Sequence, residues 1–252
     1  MRSEEIAIIL FSGICIVLIY TGNTKFGIIL LTLNILGYLS TIRSRDPKII
    51  YYARKNNLAK IKRLIQNGND VNKTNFVGMS ALHYAAKNGN LEILRELAEA
   101  HAELHAATIA GQTPMVFAIV GNKVEIVRYL ISNGYEVDYG HDKDDNTCLM
   151  IAVSYGYTAI VEMLINNGAS IDICNKYGQS ALMFSAIYRR FPIMQRLVAS
   201  GAIPDLADKD GNTALHYAVA TRDDDMVDFL IKAGSDPHKT NLKGQTAFKK
   251  DW

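Results

Sequence analysis

Thr213-Ala214-Leu215-His216 decides how this chain is read, because the same short signature returns along its length. Upstream it reads Ser80-Ala81-Leu82-His83, Thr113-Pro114-Met115-Val116, Thr147-Cys148-Leu149-Met150 and Ser180-Ala181-Leu182-Met183. Downstream comes Thr246-Ala247-Phe248-Lys249. A leucine keeps the same beat: Leu64, Leu97, Leu130, Leu164, Leu197 and Leu230 are spaced by 33, 33, 34, 33 and 33 residues. Four residues after each stand Gly68, His101, Gly134, Gly168, Gly201 and Gly234. A fixed period of this size marks a solenoid, in which no unit buries its apolar face alone.

Each unit carries local signals that agree with the period. Ser or Thr opens a helix as its cap. Small residues follow, as in Ala85-Ala86 and Ala218-Val219, and let neighbouring helices approach closely. A second helix places Ile160-Val161 and Leu164-Ile165 on one apolar stripe. The glycine then suits a left-handed helix end, so His101 in its place predicts a strained or altered cap. A short loop follows, as in Asp208-Lys209-Asp210-Gly211, with glycine at the tip.

Signature and period together resemble the ankyrin repeat and its T-P-L-H-x-A pattern. The resemblance covers residues 46–252 as six repeats and a partial seventh. It implies an all-α solenoid of helix-turn-helix repeats with β-hairpin loops, which works by binding protein. It also implies that His83 and His216, in fourth place of the signature, knit turns together through their imidazoles. Three departures carry expectations of their own. The first unit, Pro47 to Asn72, reads Lys48-Ile49-Ile50 where the signature belongs, as an N-terminal cap would. The interval of 34 adds one residue around Tyr139–Asp145, so that finger should protrude. The last unit has room for one helix, and Lys249, Lys250 and Asp251 give it the polar face a cap needs.

Residues 1–45 differ from the rest. Nineteen uncharged residues lie between Glu5 and Lys25, and 17 more run from Phe26 to Ile42. As helices they would reach roughly 28 and 26 Å, against a hydrocarbon core of about 30 Å. The turn-forming Thr21-Gly22-Asn23-Thr24-Lys25 separates them. The expectation is a two-helix membrane hairpin, about 4–21 and 25–42, ahead of a repeat domain at 46–252. A cleaved signal peptide would need a basic start, and Met1-Arg2-Ser3-Glu4-Glu5 is acidic. A lipoprotein signal at Cys15 is opposed by the bulky Ile14 before it. A hairpin held in one leaflet or packed on the repeats stays open. The flank after the hairpin carries Arg43, Arg45, Lys48, Arg54, Lys55, Lys60, Lys62 and Arg63. Positive-inside logic therefore puts the repeats in the cytoplasm and the turn on the far side. That basic cluster reads equally as a contact for anionic headgroups or as a solvated face.

Composition narrows the function classes. The chain has 252 residues, 49% apolar and 21% charged, with a net charge of +2. This is globular, and gives no electrostatic footprint for nucleic acid. Three cysteines, Cys15, Cys148 and Cys174, form no C-x-x-C, which argues against a disulfide framework or a thiolate zinc site. His101 and His105 are four apart, but the period puts them in a loop. The runs Asp142–Asp145 and Asp223–Asp225 read as a solvated loop and a helix start. No Walker loop, nucleophile elbow or acid–base–nucleophile set is visible, so neither an enzyme nor a cofactor is expected.

The expected function is a membrane-anchored scaffold that captures a protein on its concave face. The candidate contacts are Phe76, Met79, Ile109, Val120, Tyr155, Tyr177, Ile187 and Tyr188, with rim charges from Lys143, Asp144, Lys176 and Arg189. Exposed aromatic and apolar residues at such places match hot-spot chemistry. Tyr51, Tyr84, Phe117, Phe184 and Tyr217, with Ile151, share one place in the period and read chiefly as packing between repeats. The alternative is a subunit or regulatory cap of a membrane assembly. There the hairpin would be the oligomerising element, through Asn34 and the small residues Ser12 and Gly13.

Overall fold

The computed structural model describes residues 6–11, 14–19, 46–140 and 142–248. The chain divides into two compact units, Met1–Asp46 and Pro47–Trp252. In the larger one, six helix pairs follow one another. The first row of helices comprises α1 (Lys48–Arg54), α3 (Ala81–Asn88), α5 (Pro114–Val120), α7 (Cys148–Tyr155), α9 (Ala181–Ile187) and α11 (Ala214–Ala220). The second row comprises α2 (Leu58–Gln66), α4 (Leu91–Glu99), α6 (Val124–Ser132), α8 (Thr158–Asn166), α10 (Phe191–Ala199) and α12 (Asp224–Lys232). Each helix packs on its pair-mate and on the corresponding helix of the next pair.

The signature residues start the first-row helices as expected. Ser80, Thr113, Thr147, Ser180 and Thr213 are their N-caps. Thr147 and Ser180 accept hydrogen bonds from the amides of Met150 and Met183. Where the signature has histidine, the ring joins the cap: the Ser80 and Thr213 amides donate to Nδ1 of His83 and His216. The fully buried Ala85, Ala86, Ala118, Ala152, Ala186 and Ala218 line the first row. The second row packs through larger side chains, such as Ile93, Leu94 and Leu97 in α4. Each such side chain, once buried, contributes about 1.5–3 kcal/mol. Helix separation depends on the side chains at the contact, and the first row is the more closely packed. The stack therefore curves with the exposed side of the first row, and the fingers beside it, on the concave face.

At the ends of the second-row helices, Gly68, Gly134, Gly168, Gly201 and Gly234 have φ between 70° and 100°. His101 takes the same left-handed place at φ 62°, which is the strained cap its sequence position predicts. Among the described residues the loops form fingers with isolated bridges alone, Thr74 to Ser80 and Thr240 to Thr246. Neighbouring fingertips are joined by backbone rungs: Ile109 N–H to Val77 O, Lys176 to Asp144, Lys209 to Tyr177 and Leu242 to Asp210. Among the described residues no rung joins Ala110 to Lys143. That gap coincides with the extra residue of the 34-residue interval.

One expectation is corrected. Residues 6–11 and 14–19, expected within the first apolar helix, are strands β1 (Ile6–Phe11) and β2 (Ile14–Ile19), paired antiparallel from Ile6–Ile19 to Phe11–Ile14. Short runs rich in isoleucine and valine satisfy strand and helix patterns alike, and Ser12-Gly13 divides this one into two. No helix among the described residues is long and apolar enough to cross a membrane. The second expected span, 25–42, and the turn at Thr21–Lys25 lie outside the described residues. The single helix expected of the last unit would follow Thr246, and all of it beyond Phe248 lies outside the described residues. Lys249, Lys250 and Asp251 lie outside the described residues.

Candidate protein-binding face

The fingertips supply one half of the candidate face. Phe76 and Ile109 occupy equivalent tip places on successive fingers and are 68% and 82% exposed. On the next fingers the tips turn polar. The Asp144 carboxylate takes an ion pair of 2.5 Å from Lys176 Nζ, and Lys176 Nζ also donates to the Lys143 carbonyl at 3.2 Å. The same ammonium lies 5.1 Å from the centre of the Tyr177 ring. The hydrogen bond from Lys176 holds the Asp144 carboxyl below its ordinary range, and the reciprocal bond raises Lys176. Lys143, Asp144, Lys176 and Tyr177 thus form one cluster spanning two fingers.

The far ends of the first-row helices supply the other half. Val120, Tyr155 and Tyr188 are exposed, and Ile187 is half-buried. Tyr155 stacks on Tyr157 at 5.4 Å, and Tyr188 leans on Phe184 at 5.7 Å. Arg189 is exposed, holds φ at 55° and pairs with Asp223 at 3.4 Å. Tips and helix ends lie at opposite margins of the face, so the candidates form two groups rather than one patch.

Between them runs the periodic aromatic set, and its role is mainly packing. Ile151 and Phe184 are buried, Tyr84, Phe117 and Tyr217 are half-buried, and Tyr51 is exposed. The hydroxyls are spent on the fingers. Tyr84 accepts from Asn75 Nδ2 at 3.3 Å. Tyr217 donates to Asp208 and accepts from Gln179.

Met79 is removed from the candidate set. It is buried, because the finger folds back here through bonds between Asn75 and the Met79 backbone in both directions. Three features were missed. Val77 and Leu242 are exposed fingertip residues. An open groove of about 410 Å³ is lined by Tyr177, Gln179, Asp208, Lys209, Asp210 and Tyr217. Lys209 and Asp210 occupy the same tip places as Lys176 and Tyr177, so the period itself carried the signal.

His105 and Cys148 are structural. His105 stacks on Tyr135 at 4.6 Å and accepts from the Glu136 amide. Tyr135, buried where other units have a small residue, bonds Thr113 Oγ1 at 2.6 Å and the Tyr139 carbonyl at 2.9 Å. It ties the third finger down in a unit whose signature has Val116 in place of histidine. Cys148 lies buried against Tyr139 and Gly140. Asp142 closes its own loop by accepting from Asp144 and Asn146, and Asp223 caps α12. No three His, Cys, Asp or Glu side chains among the described residues are grouped to hold a metal.

Comparison with known proteins agrees with this architecture. A family model described as "Ankyrin repeats (3 copies)" matches residues 49–140, 101–173 and 149–241. No curated protein matches the sequence. Among solved structures, the ankyrin repeat domain of Bcl-3, described as a unique member of the IkappaB protein family, is similar. It shares 25% identity with a TM-score of 0.74, over 81% of this chain and 92% of that one. The human ASB11 ankyrin repeat domain is 24% identical with a TM-score of 0.70, over 80% of this chain and 90% of that one.

Proposed function

The chain belongs to the ankyrin-repeat family, and on that premise we propose that it is a scaffold that binds a protein on its concave face. A fold of this kind typically serves as a non-enzymatic protein-binding module. The observation that carries the reading is the exposure of Phe76, Ile109, Tyr155, Tyr177 and Tyr188 beside charged fingertips. Aromatic anchors rimmed by charge are the residue types that dominate binding energy at interfaces. Capture needs no chemistry: the paired rows present a rigid surface, so little ordering cost falls on the scaffold.

The apolar first 45 residues extend the proposal. They hold the solenoid at a membrane, with the basic flank and the repeats on the cytoplasmic side. Tethering then raises the effective concentration of the face for a membrane-proximal partner. The support is the two uncharged runs of 19 and 17 residues and the lysines and arginines that follow them.

Two experiments test these readings. Tyr155→Ala, Tyr177→Ala and Tyr188→Ala together should empty the set of proteins captured from native membranes; an unchanged set shows that this face is not the binding surface. The full chain should resist extraction by alkaline carbonate while a chain starting at Arg45 is released. Release of both ends the mooring idea.

A further inference from the structure

The charge of the solenoid is unevenly placed. Residues 47–72 carry six basic side chains and one acidic, whereas residues 73–252 carry 17 and 21. The first unit is thus strongly positive and the remainder mildly negative. Helices α1 and α2 form the first layer, and among the described residues no helix pair lies against their outer side.

Helix geometry sorts the basic residues. On α2, Lys62 reaches forward to Glu96 of α4 at 2.8 Å, so its side of the helix faces the next unit. Lys60, two residues earlier, lies about 200° round the helix, on the opposite and open side. On α1, Ile49, Ile50 and Ala53 are buried. Lys48 and Lys55, seven residues apart, share the exposed side. Lys48, Lys55 and Lys60 make no ion pair among the described residues. Half-buried Tyr52 and Leu58 belong to the same two helices.

We propose that this end face of the solenoid, built on Lys48, Lys55 and Lys60, binds the anionic surface of a bilayer. Charge complementarity selects an anionic partner. The choice of a bilayer rests on the membrane reading above, because α1 begins only six residues after the uncharged run that ends at Ile42. Stable attachment commonly needs two signals, an apolar one and a polybasic one. Here the second is built into the first repeat. It stands the stack on its N-terminal end and leaves the concave face beside the membrane. Each lysine within a Debye length of the lipid strengthens binding about fivefold.

The repeat unit 46–252 suits the test, because residues 47–252 form a compact unit with a continuous core from Ile49 to Ala247. It should co-sediment with phosphatidylcholine vesicles containing about 30% phosphatidylserine and ignore phosphatidylcholine alone. Salt at about 0.5 M should strip it. The K48Q/K55Q/K60Q variant should need about 100-fold more lipid, and K48R/K55R/K60R should bind like the parent. Equal binding to both vesicle types, parent-like binding by the glutamine variant, or retention on RNA with none on vesicles overturns the proposal. Carbonate extraction of the full chain reports on the apolar mooring separately. A chain that washes off while 46–252 still follows lipid charge refutes only the mooring.

Discussion

The Nε2 atom of His83 lies 3.2 Å from the carbonyl oxygen of Gln112, so one buried ring joins two successive units. Its Nδ1 accepts from the Ser80 amide at 3.0 Å, so the proton of the neutral ring sits on Nε2 and is donated across the unit boundary. Burial lowers the His83 pKa to about 4, against smaller opposing effects of backbone hydrogen bonds. The unfolded chain takes up its proton near pH 6.5, and the folded one does not until about pH 4. Stability should therefore be flat above pH 6.5 and fall by about 3 kcal/mol between pH 6.5 and 4. Urea midpoints across that range should show the slope, and His83→Gln should flatten part of it while lowering stability at neutral pH.

His101 holds a left-handed conformation at φ 62°, and its side chain is exposed. Glycine adopts this conformation without a Cβ penalty. His101→Gly should stabilise the solenoid by about 1 kcal/mol and raise the melting temperature by about 2–4 °C, as calorimetry would show.

Tyr135→Phe removes the hydroxyl that joins Thr113 to the Tyr139 carbonyl and leaves both beside a buried ring. The expected cost is about 1–3 kcal/mol. Faster amide hydrogen exchange should be concentrated in the third finger, around residues 136–147. A uniform increase across all fingers would deny Tyr135 its local role.

The two solenoid cysteines should differ in reactivity. Burial, reinforced by the Asp138 carboxylate, pushes the Cys148 thiol up to about 12. Cys174 is exposed, with its thiol raised by partial burial and by the Asp172 carboxylate. Alkylation of the folded 46–252 unit at pH 8 should label Cys174 and spare Cys148, with the second label appearing only in denaturant.

The solenoid was legible because its signals are local and repeated: a cap such as Thr147, small residues such as Ala152, a stripe such as Ile160 to Leu164, then Gly168. Met79 was misread for a reason of context. Other units place Gln112, Asn146, Gln179, Asn212 or Gln245 there, so a lone methionine stood out as exposed surface. The folding back of the finger, a tertiary event, takes it into the core. Tyr135 was invisible as a brace, since its worth depends on Thr113, 22 residues away. Residues 6–19 carry no period that separates helix from strand. The exposed candidates were legible one by one, but that they part into fingertips and helix ends follows from the length of the first-row helices between them.

The missing rung between Ala110 and Lys143 has a mechanical consequence. An array whose neighbours support one another gives way where that support is thinnest. Stretched from its ends, this one should part between the second and third fingers. Behind that gap α5 stays packed on α7, so the row of fingers should open there before any helix pair lets go.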